Sequence, residues 1–316
     1  MQTGLNVGAD IASKTVVVAC AAGTFAPRTL CNERATLRAW LQTLPAGSRL
    51  GLESTGSYHQ LLADLAQAAG LTVYVLNARD LNKYAEGVGR RGKTDRLDAQ
   101  LIARFIAHEH AQLHAYVPRS AAQCRLEQLL KRRGKLVARQ ASLQQGWQGV
   151  AGVQAELAVV AAAYRRLLAR VDALVAPTLE ALPETRTRVQ QVRTIPGYGV
   201  LGSVAMAHAL TRLPFANVDA FIAHTGLDPR PQDSGNKHGR RRLSKRGPAE
   251  LRRMLHICAM SATRSKVWQP YYRAQRAKGL SGTAAVVVLA RKMARTAYGV
   301  CRNQTTFDPS RLFSTA

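Results

Sequence analysis

The sequence predicts two architectures in one chain, an α/β domain over residues 1–118 and a helical remainder. Three observations predict this division. Short β-branched runs alternate with helical stretches up to about residue 115, helical apolar spacing takes over from Ala121, and charge is shared unevenly between the two parts. The 316 residues carry 45 Lys+Arg against 19 Asp+Glu, a formal charge of +26. Residues 1–115 hold 12 basic and 9 acidic side chains, residues 116–190 hold 12 and 5, and residues 191–316 hold 21 and 5. The respective excesses of +3, +7 and +16 point the C-terminal part at a polyanion and leave the acids, which metal chemistry needs, in the N-terminal part.

Residues 5–9 and 15–22 read as strands joined by a tight polar turn, and 24–31 adds a third antiparallel strand. A helix over 33–44 with Asn32 as its N-cap, a strand over 49–53, a helix over 57–69 and a strand over 71–77 follow. A three-strand meander leading into parallel βα units is the order of the ribonuclease H-like fold. A doubly wound sheet, the alternative, lacks the opening meander. From Ala121 to Ala176 the apolar positions Leu126, Leu129, Leu136, Leu143 and then Leu157, Val160, Tyr164, Leu167, Val171, Leu174 keep helical spacing, broken by Gly146, Gly149 and Gly152. This is an antiparallel hairpin or coiled coil, serving as a spacer or as an oligomerisation arm. Pro177 and Pro183 mark a boundary. Three domains result, at 1–118, 119–185 and 186–316, the last mainly helical.

Composition excludes several classes. Apolar residues make up 47%, enough for a core, so wholesale disorder is out. The longest strictly apolar runs, such as 284–290, are far too short to span a bilayer, and no basic, apolar leader opens the chain, so a cytoplasmic, nucleoid-associated protein is expected. Five scattered cysteines without a C-x-x-C pair argue for reduced, buried thiols rather than disulfides or a thiolate zinc site.

Chemistry concentrates at three places. Asp10 closes an apolar strand and Glu53 ends another, so neighbouring strands would project both acids from one sheet edge. Asp95 and Asp98, spaced i, i+3 near a helix start, share a face. Four carboxylates at such an edge suit Mg²⁺ (or Mn²⁺), a hard cation that keeps positions open for phosphate oxygens. Taken singly, each acid also reads as a turn, cap or salt-bridge residue, with Arg91 and Arg96 as partners for Asp95 or Asp98. An actin-like ATPase would need a glycine-rich phosphate loop after Asp10, and Ile11-Ala-Ser-Lys-Thr15 has no glycine.

The second place is Thr194-Ile-Pro-Gly-Tyr-Gly199, a helix-hairpin-helix-like turn in which Gly197 and Gly199 would expose backbone N–H groups to a phosphate; an ordinary turn is the plain alternative. The third is the loop between Leu227 and Leu255, where Arg230, Lys237, Arg240, Arg241, Arg242, Lys245 and Arg246 can neutralise several phosphates. Ser234, beside Gly235, sits among these guanidinium groups. Its chemistry alone favours a solvated loop serine over a nucleophile.

Gly8-Ala-Asp10-x-x-x-Lys14, Glu53-Ser-Thr-Gly-Ser-Tyr58, Lys93-Thr-Asp-x-x-Asp98, Ile195-Pro-Gly-x-Gly199, Phe221-Ile-Ala-x-Thr-Gly-Leu-x-Pro229, Ser234-Gly235 and Ser244-Lys-x-Gly-x-x-x-Leu-Arg252 together resemble the DEDD transposases of bacterial insertion sequences, a group that includes a pilin-gene invertase. The resemblance is collinear from about residue 5 to residue 302. It implies a RuvC-like N-terminal domain, a coiled coil and a C-terminal transposase domain. It implies that Asp10, Glu53, Asp95 and Asp98 bind metal and that Ser234 is the nucleophile of a transient 5′-phosphoserine link. It further implies nucleic-acid contact by Lys14, target and donor DNA as partners, a structured noncoding guide RNA, and a homo-oligomer, dimer to tetramer, with sites shared between subunits. Ser244 has no such role in this reading.

Two other functions stay open at this point. A RuvC-like endonuclease would use metal-activated water and leave free ends, and a non-enzymatic nucleic-acid-binding protein would need none of the four acids.

Overall fold

The computed structural model describes residues 4–54, 58–230 and 241–312, with the backbone of Asp233–Ser234 and Lys237–His238, and divides into two compact units, Met1–Pro118 and Arg119–Ala316. The first unit is built on five strands, β1 (Asn6–Ile11), β2 (Thr15–Cys20), β3 (Arg28–Cys31), β4 (Arg49–Glu53) and β5 (Thr72–Leu76), in the order β3-β2-β1-β4-β5. The meander β1-β2-β3 is antiparallel, whereas β4 joins β1 and β5 joins β4 in parallel. Side-chain alternation sorts the layers. Val16 and Val18 share a core with Leu37 and Trp40 of α1 (Arg34–Leu41) and Leu62 of α2 (His59–Ala68). Val17 and Ala19 turn the other way and meet Ala99, which belongs to a helix on the opposite face.

Two differences from the sequence reading have local causes. The N-cap of α1 is Glu33, not Asn32, whose amide Nδ2 instead donates to the carbonyls of Ala12 and Tyr58. A helix α3 (Ala78–Gly87), absent from the sequence reading, starts where the Asn77 side chain accepts the Arg79 amide, and it buries only Leu81. That helix is followed by α4 (Asp95–Glu109), capped by the Thr94 hydroxyl. The third strand is also shorter than expected.

The second unit opens with α5 (Ala121–Gly146), whose Ser120 and Gln123 form a reciprocal capping box, and α6 (Gln154–Ala173). Arg133 of α5 holds Asp172 of α6 with Nε at 2.5 Å and a second nitrogen at 3.1 Å, so the pair forms an antiparallel hairpin. Its root joins a core shared with the rest of the unit through Leu126 and Leu130, while α6 buries no side chain. Pro177 does not break the chain; it lies in the first turn of α7 (Val175–Glu180), where a missing N–H costs nothing. Helices α8 (Pro183–Arg193), α9 (Val200–Arg212), α10 (Val218–Thr225), α11 (Ala249–Ala262), α12 (Gln269–Ala277) and α13 (Gly282–Arg302) complete the unit around fully buried Ile195, Phe221, Trp268, Leu289 and Met293. Between α10 and α11 run two short antiparallel ladders, β6 (Pro229–Arg230) with β9 (Arg242–Leu243) and β7 (Asp233–Ser234) with β8 (Lys237–His238). Among the described residues no helix is long and apolar enough to cross a membrane. Cys20, Cys258 and Cys301 are buried, whereas Cys31 is exposed, contrary to the expectation that the thiols are buried.

Candidate active site and nucleic-acid interface

The edge that carries the acids is made by glycine. Gly8 of β1 lies opposite Gly51 of β4, and α4 rests directly on this pair. A Cβ at Gly8 would stand 2.1 Å from the Ala99 carbonyl oxygen, and one at Gly51 would stand 2.8 Å from the Cγ2 atoms of both Ile102 and Ile106. Any side chain there would lift the helix off the sheet. Asp10 points to the same face as Gly8, two residues on, and Asp98 directly precedes the residue seated on Gly8. Extending the β1–β4 register one step beyond Ala9↔Leu52 sets Asp10 level with Glu53. Asp10, Glu53 and Asp98 are half-buried and Asp95 is exposed.

The electrostatics record this convergence. Burial, reinforced by the Asp98, Asp95 and Glu53 carboxylates, pushes the Asp10 carboxyl up to about 6. Glu53 is raised by burial and by Asp98, with Lys93 opposing. Asp98 has a cation that the sequence reading missed: it pairs with Arg90 at 2.5 Å, not with Arg91 or Arg96. Arg90 stands just past the left-handed Gly89 that follows α3, with φ +69°, and its Nε and remaining Nη are buried without a hydrogen-bond partner. No sequence spacing flags such a pair. The donor set is all hard oxygen and repels itself, which fits a divalent cation held by Asp10, Glu53, Asp95 and Asp98. Among the described residues, however, no three His, Cys, Asp or Glu side chains close on one point tightly enough to hold an ion.

In the second unit the Thr194–Gly199 turn links α8 to α9 and is fixed from behind by Trp268, whose indole donates to the Pro196 carbonyl at 2.9 Å. Its two glycines differ. Gly197 has φ +96°, and a Cβ there would stand 2.6 Å from that of Ala262, so its demand is conformation and packing; Tyr198 also turns inward. Gly199 is open, with nothing near its missing Cβ, and it starts α9 without a side-chain cap, although its own N–H is turned to the Cys258 sulfur.

The basic loop stands apart from the carboxylates in sequence and belongs to the other unit. Backbone pairing sets Ser234 opposite Lys237 and Arg230 opposite Arg242. Two guanidinium-bearing residues directly across a ladder are unfavourable without an intervening anion. Arg241, Arg242, Lys245, Arg246 and, in the first unit, Lys14 are exposed, and Arg230 is half-buried. Arg240 and the side chains of Ser234 and Lys237 lie outside the described residues. Arg252 and Arg253, which the sequence places on the following helix, face inward: Arg253 grips Glu250, and Arg252 donates to the Gly247 carbonyl at 2.7 Å.

A family model for DEDD-type IS110 transposases matches residues 7–150, and one for the transposase IS116/IS110/IS902 family matches residues 189–273. The chain is 27% identical over 328 residues to a pilin gene-inverting protein of Moraxella bovis, covering 96% of this chain and 97% of that one. A probable family 20 transposase of Pseudomonas aeruginosa is 26% identical over 317 residues, with 88% and 90% covered. An insertion element IS900 protein of Mycobacterium paratuberculosis is 30% identical over 171 residues, with 51% and 42% covered. The two models lie in order along the chain, one spanning the four carboxylates and the other the hairpin and the basic loop, and the chain belongs to the IS116/IS110/IS902 family of transposases.

Proposed function

We propose that the protein recombines DNA at specific sites through Ser234, assisted by a divalent cation at the DEDD carboxylates and guided by a structured noncoding RNA. As a transposase it cuts and rejoins DNA, so DNA is its partner. The observation that carries the finer reading is the convergence of Asp10, Glu53, Asp95 and Asp98 at the β1/β4 edge, where mutual repulsion calls for a cation. The meander and parallel continuation of the sheet support a ribonuclease H-like, RuvC-like domain at 1–118. Mg²⁺ or Mn²⁺ bound there would neutralise phosphate charge. The chain's own part is nucleophilic: Ser234 Oγ bonds to phosphorus, the P–O3′ bond breaks, and the departing 3′ oxygen takes up the proton that the serine gives up. Attack by a 3′-hydroxyl on the phosphoserine then reverses the exchange, so strands rejoin without an energy source. Arginines of the loop would hold the charge that develops on the phosphate.

Incubating the protein with DNA carrying element ends and Mg²⁺ tests the reading. A denaturation-resistant protein–DNA adduct supports it, and free ends without adduct favour the water-using nuclease.

Two further expectations concern binding and assembly. Arg241→Ala with Arg242→Ala should flatten the dependence of log K on log salt by up to about 0.9 per lost duplex phosphate contact. An unchanged slope would place these side chains off the DNA. The arm carries unpartnered apolar side chains, Val159 at 71% exposure and Leu167 at 47%, which support a homo-oligomer joined through residues 119–185. Val159→Glu with Leu167→Glu should lower the sedimentation coefficient toward that of a monomer; an unaltered coefficient places the contact elsewhere.

A further inference from the structure

Two of the sequence motifs singled out above come together at the root of the basic loop. One is Thr225-Gly-Leu-Asp-Pro229 at the end of α10, and the other is Ser244-Lys-Arg-Gly-Pro248 at the entry to α11. The Ser244 hydroxyl donates to the Asp228 carboxylate, and the Ser244 amide donates to the Asp228 carbonyl at 2.9 Å. Ser244 is 5% exposed, so this is an interior bond although the loop it closes is strongly basic. Next in line, Lys245 takes a positive φ of 53° and its amide donates to the Gly226 carbonyl at 3.2 Å. Gly247 passes so close to α10 that a Cβ there would stand 1.7 Å from the His224 carbonyl oxygen. Arg252 reaches back from α11 to the carbonyls of Gly247, at 2.7 Å, and Thr225, at 3.4 Å. Side chain, backbone and helix therefore all fasten the same two strands of chain to each other.

Beyond this root the chain runs out through β6 and back through β9, and further out through β7 and β8, where Ser234 lies. Residues 231–232 separate the two ladders on the outgoing side and residues 239–241 on the return, so the register changes by one position between them. The outer ladder hangs from the inner one, so its direction depends on where the two ends of the loop are held.

We infer that Asp228, Ser244 and Arg252 form a clamp that aims the loop bearing Ser234, making them positioning residues for strand cleavage. The inference rests on the serine reading given above. A hydroxyl that must stand in line with a phosphodiester loses about 10²-fold in rate for a displacement near 1 Å, so loosening the root should cost rate rather than DNA affinity.

The test uses the full-length protein with DNA carrying element ends and Mg²⁺. Ser244→Ala and Asp228→Ala should each slow adduct formation about 100-fold with DNA affinity and melting temperature nearly kept. Trypsin should cut after Arg241 and Arg242 faster in both variants than in the parent. Asp228→Asn keeps an oxygen acceptor for the Ser244 hydroxyl and should recover most of the lost rate. Parental rate and parental trypsin resistance in Ser244→Ala overturn the clamp, as does a loss of rate matched by loss of melting temperature in all three variants. Ser234→Ala run alongside separates the two ideas: if it forms ends at the parental rate, the serine reading fails, whatever the clamp variants do.

Discussion

Ser234→Ala is expected to lower DNA strand cleavage by at least about 10⁴-fold while leaving DNA affinity within about twofold of the parent, because it removes the attacking atom and no charge. The affinity term belongs to the surrounding guanidinium groups, which this change does not touch. The chemistry also fixes what must vanish with the rate. Exchange through a serine conserves the phosphodiester energy in a Ser–O–P bond, so the parent should yield a nucleotide bonded to the peptide that contains Ser234, and Ser234→Ala should yield none. Ser234→Cys should keep a trace, since sulfur attacks phosphorus but is a poor ligand for a hard cation. Mass spectrometry of a reaction stalled on a nicked substrate reads all three. Undiminished cutting by Ser234→Ala would move the function to hydrolysis by water at the carboxylates and make the basic loop a DNA grip.

The sequence made the acidic edge legible because strand ends are where alternating burial stops and a polar group must face outward. Asp10 and Glu53 stand at such ends, and the parallel register between β1 and β4 brings them level. What seats α4 beside them was not legible. Gly8 and Gly51 each read as ordinary strand glycines until the helix is seen resting on both. Arg90 was hidden for a related reason: it stands eight residues before Asp98, across an irregular stretch, and sequence distance says nothing about where that stretch sends the side chain. Helix α3 buries a single leucine, too little for an apolar period to register. Ser244 was given no role because its carboxylate partner comes sixteen residues earlier, across a hairpin whose pairing only the fold reveals.

Asp95→Asn and Asp98→Asn should each reduce Mg²⁺-dependent cleavage by about 10³-fold or more while DNA affinity holds or rises slightly, since each removes one negative charge near a polyanion. Asp98→Asn has a second consequence, because it releases Arg90 from its ion pair. The companion variant is Asp10→Asn, and its effect on stability has a definite sign. The Asp10 carboxyl titrates at about 6 in the folded chain against an ordinary 3.8, so the folded state holds its proton more tightly than the unfolded one. Below the ordinary value both states are protonated and nothing is lost. As pH rises from about 4 to about 6 the unfolded chain gives up the proton first, and metal-free stability falls. Above 6 the penalty is complete; for a half-exposed group, screened by solvent, it amounts to about 1 kcal/mol. Asp10→Asn should therefore melt higher than the metal-free parent at pH 7 and show a smaller decline between pH 4 and pH 6, the part due to Glu53 remaining. Millimolar Mg²⁺ or Mn²⁺ should raise the parent's melting temperature at pH 7, and do so less for Asp10→Asn, because the cation answers the repulsion that the substitution removes. Thermal denaturation at several pH values, with and without the cation, reads every arm. A parent that gains nothing from either cation, or an Asp10→Asn protein less stable than the metal-free parent at pH 7, would show that the four carboxylates are held by the chain's own cations, with Arg90 first among them.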